Sequence, residues 1–156
     1  MNVKVSFIVT SVIFLGFIFS FNFMYLAPRE GDKVGNKVGN MAPDFTLLDQ
    51  HDKSHTLSGL RDAKVALCFY PADGTPGCTE ELSKLSTEWD KLEKSEIKVF
   101  GISFDSKESH TKFAAKHDFK FPILSDSKQE VGKAYGTKIL GFLPYSKRIT
   151  FLIENG

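Results

Sequence analysis

The chain has 156 residues, 42% hydrophobic and 25% charged, with a formal net charge of +1. That near-neutral balance leaves no electrostatic footprint for nucleic acid. Two cysteines cannot build a disulfide framework, and no Cys/His cluster has metal-ligand spacing, so no metal or other cofactor is called for.

The first 27 residues form a hydrophobic segment. From Val5 to Leu26 there are 22 residues without a charge, apolar on every face, which suits a bilayer span better than a helix buried in a domain. The run reads as a cleaved secretory signal or a retained transmembrane anchor. Its length and the lack of an A-x-A-type cleavage site favour the anchor. Lys4 precedes it and Arg29, Lys33 and Lys37 follow it, so the positive-inside rule does not set its orientation. The signal-like layout does, and it points to export, with the bacterial periplasm first among compartments and a cytoplasm-facing domain as the alternative. Residues 28–40 carry Pro28, three glycines and the tandem Lys33-Val34-Gly35-Asn36 and Lys37-Val38-Gly39-Asn40, which reads as a linker.

The folded domain is then 41–156, enough for one core. Phe45 to Leu48 and Ser54 to Leu57 are short strand candidates around the polar turn Asp49 to Lys53, where His51 and His55 read as solvated. Lys64 to Tyr70 is a continuous apolar run, the pattern of a central strand buried on both faces. From Thr79 to Lys94, Leu82, Leu85, Trp89 and Leu92 recur at helical spacing, with Glu80 and Glu81 expected in the first turn. Ile97 to Phe104 is a strand. Asp105 or Ser106 caps a helix reaching about His117. Phe121 to Leu124 is a short strand, and Asp126 or Ser127 caps a helix that Gly136 ends. Arg148 to Ile153 is the last strand. Alternating elements predict an α/β fold, a three-layer sandwich with parallel pairing. Glu154-Asn155-Gly156 is a hairpin-turn signal with no strand after it, which predicts that a further strand and helix are missing.

Chemistry concentrates in Pro71-Ala72-Asp73-Gly74-Thr75-Pro76-Gly77-Cys78, between the apolar strand and the helix. A cysteine at a helix N-terminus meets unpaired N–H groups and the positive end of the macrodipole, which favour the nucleophilic thiolate. Pro71 ends the strand. A hydroxyl at Thr75 can donate to that sulfur or to an incoming oxygen, or simply cap the helix. Pro76 biases Thr75 away from helical geometry, and Gly77 admits a ligand close to the backbone. Arg148 is a candidate cation for stabilising developing negative charge, or an ordinary surface arginine. Cys68, mid-strand and flanked by apolar residues, reads as a small buried residue.

The run Phe69-Tyr70-Pro71-x-x-x-Thr75-Pro76-Gly77-Cys78-Thr79 resembles the active-site signature of peroxiredoxins, most closely the Q-type or bacterioferritin-comigratory-protein subfamily. Gly39-Asn40-Met41-Ala42-Pro43-Asp44-Phe45 is similar to the family's opening segment. Val99 to Asp105 with His110 and Phe113, Phe121 to Asp126 with Tyr135-Gly136, and Arg148-x-Thr150-Phe151-Leu152-Ile153 resemble its later units. The resemblance implies a thioredoxin-like α/β/α sandwich with a mixed central sheet. It also implies thiol-dependent reduction of hydrogen peroxide and organic hydroperoxides through a cysteine sulfenic acid, an antioxidant activity. By it, Cys78 is the peroxidatic cysteine, Thr75 hydrogen-bonds peroxide and thiolate, and Arg148 orients both. Pro71 shields the pocket, and backbone near Gly77 completes it.

Many Q-type members carry a resolving cysteine five residues after the peroxidatic one, where this chain has Ser83. The implied cycle is 1-Cys, closed by an external thiol that is thioredoxin-like, glutaredoxin-like or small; the alternative is a resolving cysteine in the missing C-terminal part. Two rivals stand beside it. A thiol–disulfide oxidoreductase on the same fold needs Cys-x-x-Cys, and here one cysteine is missing. A membrane-tethered binding or holdase module would need no cysteine at all, and an uncovered sheet edge would suit it.

Overall fold

The structure, a computed structural model, describes residues 40–139 and 141–154 together with the strand Ser6–Phe7. In chain order the strands are β1 (Ser6–Phe7), β2 (Thr46–Asp49), β3 (Ser54–Thr56), β4 (Lys64–Phe69), β5 (Ile97–Ser103), β6 (Ile123–Ser125) and β7 (Ile149–Ile153). The helices are α1 (Pro76–Thr87), α2 (Trp89–Lys94), α3 (Lys107–His117) and α4 (Glu130–Ala134), and a 3-10 turn spans Leu57–Leu60. One sheet results, in the order β1-β7-β4-β5-β6-β2-β3.

Strands β4, β5 and β6 pair in parallel, with a helical crossover between each and the next, as the alternating pattern requires. On one side β7 joins β4 antiparallel; on the other β2 joins β6, and β3 joins β2, both antiparallel. The sheet is therefore mixed, in a thioredoxin-like arrangement.

Strand β4 shows why a continuous apolar run marks a sheet centre. Its side chains alternate between faces. Val65, Leu67 and Phe69 enter one core with Phe100, Ile102 and Phe151, closed by Leu57 of the 3-10 turn and by Val131 and Tyr135 at α4. Cys68 and Tyr70 enter a second core with Val99, Phe121 and Ile123, closed by Leu82 of α1 and Phe113 of α3. Each fully buried Leu or Phe contributes about 1.5–3 kcal/mol, and both faces contribute, giving the three layers.

Several expectations need correction. The single helix expected over Thr79–Lys94 is two helices, and the first begins three residues earlier, at Pro76. Proline has no N–H to lose at the first helical position, and Thr75 before it has extended geometry, φ −73° and ψ 142°. The Thr87 hydroxyl bonds back to the Ser83 carbonyl at 3.0 Å, where the first helix ends. Glu80 and Glu81 consequently lie beyond the first turn, which holds no acidic residue. His55 is not solvated: its Nε2 lies 2.7 Å from the Asp49 carboxylate, and its ring packs edge-on to Phe100. Ser106 caps α3 as expected, accepting from the Ser109 N–H at 3.3 Å. Asp126 acts from outside α4, its carboxylate accepting the Val131 and Gly132 N–H groups at 3.3 and 2.7 Å. A side chain at Gly132 would have to displace the buried Phe104 ring, since a Cβ there would sit 2.4 Å from it.

Strand β1 was not anticipated; its backbone pairs with β7 through Ser6↔Leu152 and Phe7↔Phe151. Apart from it, the expected signal or anchor and residues 28–39 of the linker lie outside the described residues. Among the described residues, no helix is long and apolar enough to cross a membrane.

Candidate active site

Strand register brings together residues far apart in the chain. Phe69, the last residue of β4, pairs with Ile149, the first of β7. The residue before Ile149 is Arg148, so it emerges beside the point where β4 gives way to the Pro71–Gly77 loop. That loop runs straight into α1. Asp73 is followed by Gly74 at φ +69°, a left-handed conformation that glycine adopts without a Cβ penalty. Thr75 is the N-cap, and its carbonyl accepts the Thr79 N–H at 2.9 Å. Cys78 falls in the first turn with its side chain fully buried.

Arg148 Nη2 donates to Cys78 Sγ at 3.1 Å. Its Nη1 is ion-paired with the Glu81 carboxylate, and the two side chains are 33% and 28% exposed. Cys78 and Glu81 are three residues apart on α1 and so share a face. One guanidinium fork thus spans both, held by a carboxylate while aimed at a sulfur. The pairing is partly desolvated, which strengthens it over an exposed bridge. A sulfur at a helix N-terminus, backed by a fixed cation, is suited to carry negative charge and attack an electrophile.

The other expected residues are placed as follows. Pro71 is half-buried, directly after the strand. Gly77 lies against the arginine: a Cβ there would sit 3.6 Å from Nη2. Thr75 occupies the cap position, but its hydroxyl neither caps the helix nor meets the sulfur; it donates to the Ala72 carbonyl at 3.3 Å. A rotation about one bond would free it for a bound ligand. Cys68 is buried on β4, and burial pushes its thiol up to about 11, a hydrogen bond to Thr150 offsetting only part of the effect. Both cysteines are free. In the native reduced protein, iodoacetamide is therefore expected to label at most Cys78 at neutral pH. Cys68 should react only after denaturation, and peptide mapping of the labelled chain checks this. Two labels under native conditions would contradict the burial.

Sequence reasoning missed two features. Glu81 was expected only as a partner of the helix dipole, yet it anchors Arg148. The second is the polar cluster around Asp73. Tyr70 Oη donates to its Oδ1 at 2.7 Å, and Ser109 Oγ donates to Oδ2 at 2.7 Å. His110 Nδ1 lies 2.9 Å from Oδ2. Burial alone would push the Asp73 carboxyl up, but the His110 ring first, then the Tyr70 and Ser109 hydroxyls, outweigh it and hold the carboxyl below its ordinary range.

The comparisons with known proteins bear on the family and the fold. Residues 38–156 match the model of the AhpC/TSA family. Peroxiredoxin Q of Sedum lineare is 39% identical over 132 residues, covering 82% of this chain and 70% of that protein. Peroxiredoxin Q of Triticum aestivum is 41% identical over 118 residues, 74% of this chain but only 54% of its own length. Among solved structures, the peroxidoxin BcpB of Mycobacterium tuberculosis superposes with a TM-score of 0.67 at 34% identity, covering 74% of this chain and 77% of that one. Peroxiredoxin Q of Xanthomonas campestris gives 0.65 at 30% identity, covering 71% and 73%.

Proposed function

The chain belongs to the AhpC/TSA family, within its peroxiredoxin Q group, and from that premise we propose that it is a thiol peroxidase acting through Cys78. The observation that carries the reading is the Arg148 guanidinium 3.1 Å from Cys78 Sγ, in the first turn of α1. The Cys78 thiolate attacks the nearer peroxide oxygen in line with the O–O bond. An S–O bond forms, the O–O bond breaks, and sulfur loses two electrons to the peroxide. The leaving oxygen takes up a proton and departs as water or an alcohol, while Cys78 is left as sulfenic acid. Arg148 is placed to stabilise negative charge on the leaving oxygen, and the Thr75 hydroxyl, turned from Ala72, to hold the peroxide. The substrates are hydrogen peroxide and organic hydroperoxides.

The cysteine inventory of the described residues supports a 1-Cys return half. Ser83 stands on α1 five residues after Cys78, and Cys68 is buried mid-strand, so neither supplies an accessible resolving thiol among the described residues. An external thiol, thioredoxin-like, glutaredoxin-like or small, attacks the sulfenic sulfur. It releases water and forms a mixed disulfide, which a second thiol reduces back to Cys78. Intact-mass analysis of the reduced chain after one equivalent of hydrogen peroxide tests this. The expected product gains one oxygen atom and is trapped by a sulfenic-acid reagent at Cys78. Loss of two hydrogens, an intrachain disulfide, would overturn the 1-Cys cycle.

A further inference from the structure

Asp73 is a carboxylate in the cysteine loop whose side chain is only 7% exposed. Burying a carboxylate is costly unless its oxygens are fully partnered. Here every partner comes from outside the loop. Tyr70 follows directly on β4, while Ser109 and His110 belong to the first turns of α3, so the carboxylate ties the loop to both. The Asp73 N–H donates to Asp105 Oδ2 at 3.0 Å, and the same oxygen accepts from Ser103 Oγ of β5 at 2.6 Å. The midpoint of the loop is thus fastened to the sheet and to α3 through both its backbone and its side chain.

This fastening bears on the reacting groups. Cys78 arrives on α1, and Arg148 arrives at the edge of β7. Their 3.1 Å contact depends on how the start of α1 sits against the sheet. Between Asp73 and the helix stand only Gly74, at φ +69°, and the N-cap Thr75. Glycine is the flexible joint of that short stretch, and Asp73 is the last point fixed before it. His110 is fully buried, and its Nε2 meets no hydrogen-bond partner, so Nδ1 is the one ring nitrogen the fold uses. The Asp73 carboxylate can only accept there, so Nδ1 carries the proton.

Resting on the peroxidase reading above, we propose that the Asp73–His110 pair is the positioning device of the site, holding the cysteine loop so that Cys78 and Arg148 meet a peroxide in line. Neither residue touches the substrate; both act through the loop.

The test compares two rates for Cys78 in the full chain: oxidation by hydrogen peroxide, which needs the aligned site, and alkylation by iodoacetamide, which needs a thiolate and access to the buried sulfur but no alignment with Arg148. A misplacement of about 1 Å can cost on the order of 100-fold in rate. Asp73→Asn and His110→Leu should therefore slow peroxide oxidation roughly 10- to 100-fold, while alkylation does not slow in step. His110→Asn places an amide N–H where Nδ1 stands and discards the unused Nε2, so it should stay within about threefold of the parent. Should Asp73→Asn fail to fold, Ser109→Ala removes a single donor from the same carboxylate and should still show a smaller loss of the same kind. Folded variants with the parent's peroxide rate would overturn the proposal. So would equal losses in His110→Asn and His110→Leu, or peroxide and alkylation rates falling in proportion. Failure of the peroxidase reading itself would appear in the unsubstituted chain, as a peroxide rate no better than that of a free thiol.

Discussion

Replacing Cys78 by serine is expected to abolish peroxide consumption, with a loss on the order of 10,000-fold or more. The thiolate is the nucleophile of the proposed reaction, and a hydroxyl at the same place stays protonated and attacks poorly. Cys78 is fully buried in the core that α1 forms with Cys68, Tyr70 and Leu82. Serine is slightly smaller, and its oxygen can accept from Arg148, so the fold should survive with a cost of about 1 kcal/mol. Thermal unfolding of Cys78→Ser beside its peroxidase assay separates the two effects. Cys68→Ser is the matching control. It places a hydroxyl in an apolar strand and should lower stability by about 1–3 kcal/mol while leaving the peroxide rate of the folded protein near that of the parent. Residual turnover in Cys78→Ser together with a loss in Cys68→Ser would assign the chemistry to the wrong cysteine.

Arg148→Ala should slow Cys78 oxidation about 100- to 1,000-fold, the range for removing one charge-stabilising donor from a desolvated site. Two losses combine. The sulfur loses its donor at 3.1 Å, and the Glu81 carboxylate, 28% exposed, is left near it without its cation. An unpaired negative charge opposes both the thiolate and the charge that develops on the leaving oxygen. Arg148→Lys retains the charge but not the fork that holds Glu81 and Cys78 together, so it should fall between alanine and the parent. Adding Glu81→Gln to Arg148→Ala should recover part of the rate, roughly 3- to 10-fold, because the residues share one interaction and their effects do not add. Stopped-flow oxidation of the parent, Arg148→Ala, Glu81→Gln and the double variant would reveal this coupling. Strict additivity would mean that Glu81 does not act through Arg148.

How far the sequence foretold this site depended on whether each signal was local. The central strand was legible because a strand buried on both faces must be apolar at every position, and Lys64 to Tyr70 is nearly so. The cysteine loop was legible because Pro71, Gly74, Pro76 and Gly77 punctuate it. The start of α1 was misread although Pro76 is a start signal, since the apolar stripe begins only at Leu82 and periodicity outweighed the cap. The break after Thr87 carries neither glycine nor proline, so no strong breaker marked it. Arg148 lies 70 residues from Cys78, and nothing in that spacing joins them; the resemblance supplied the link, and the Phe69↔Ile149 register explains it. His110 entered only through the resemblance, and nothing joined it to Asp73, because an aspartate in a Gly/Pro loop is ordinarily solvated. Their burial becomes visible only when α3 is laid against the end of β4.

The measurement that bears most directly on the account is the second-order rate of Cys78 oxidation by hydrogen peroxide in the full chain. It is read by intact mass and compared with a free cysteine under the same conditions. The account predicts a rate several orders of magnitude above the free thiol, absent in Cys78→Ser and strongly reduced in Arg148→Ala. A rate no faster than free cysteine would contradict it, and a binding module on the same fold would then be the better reading.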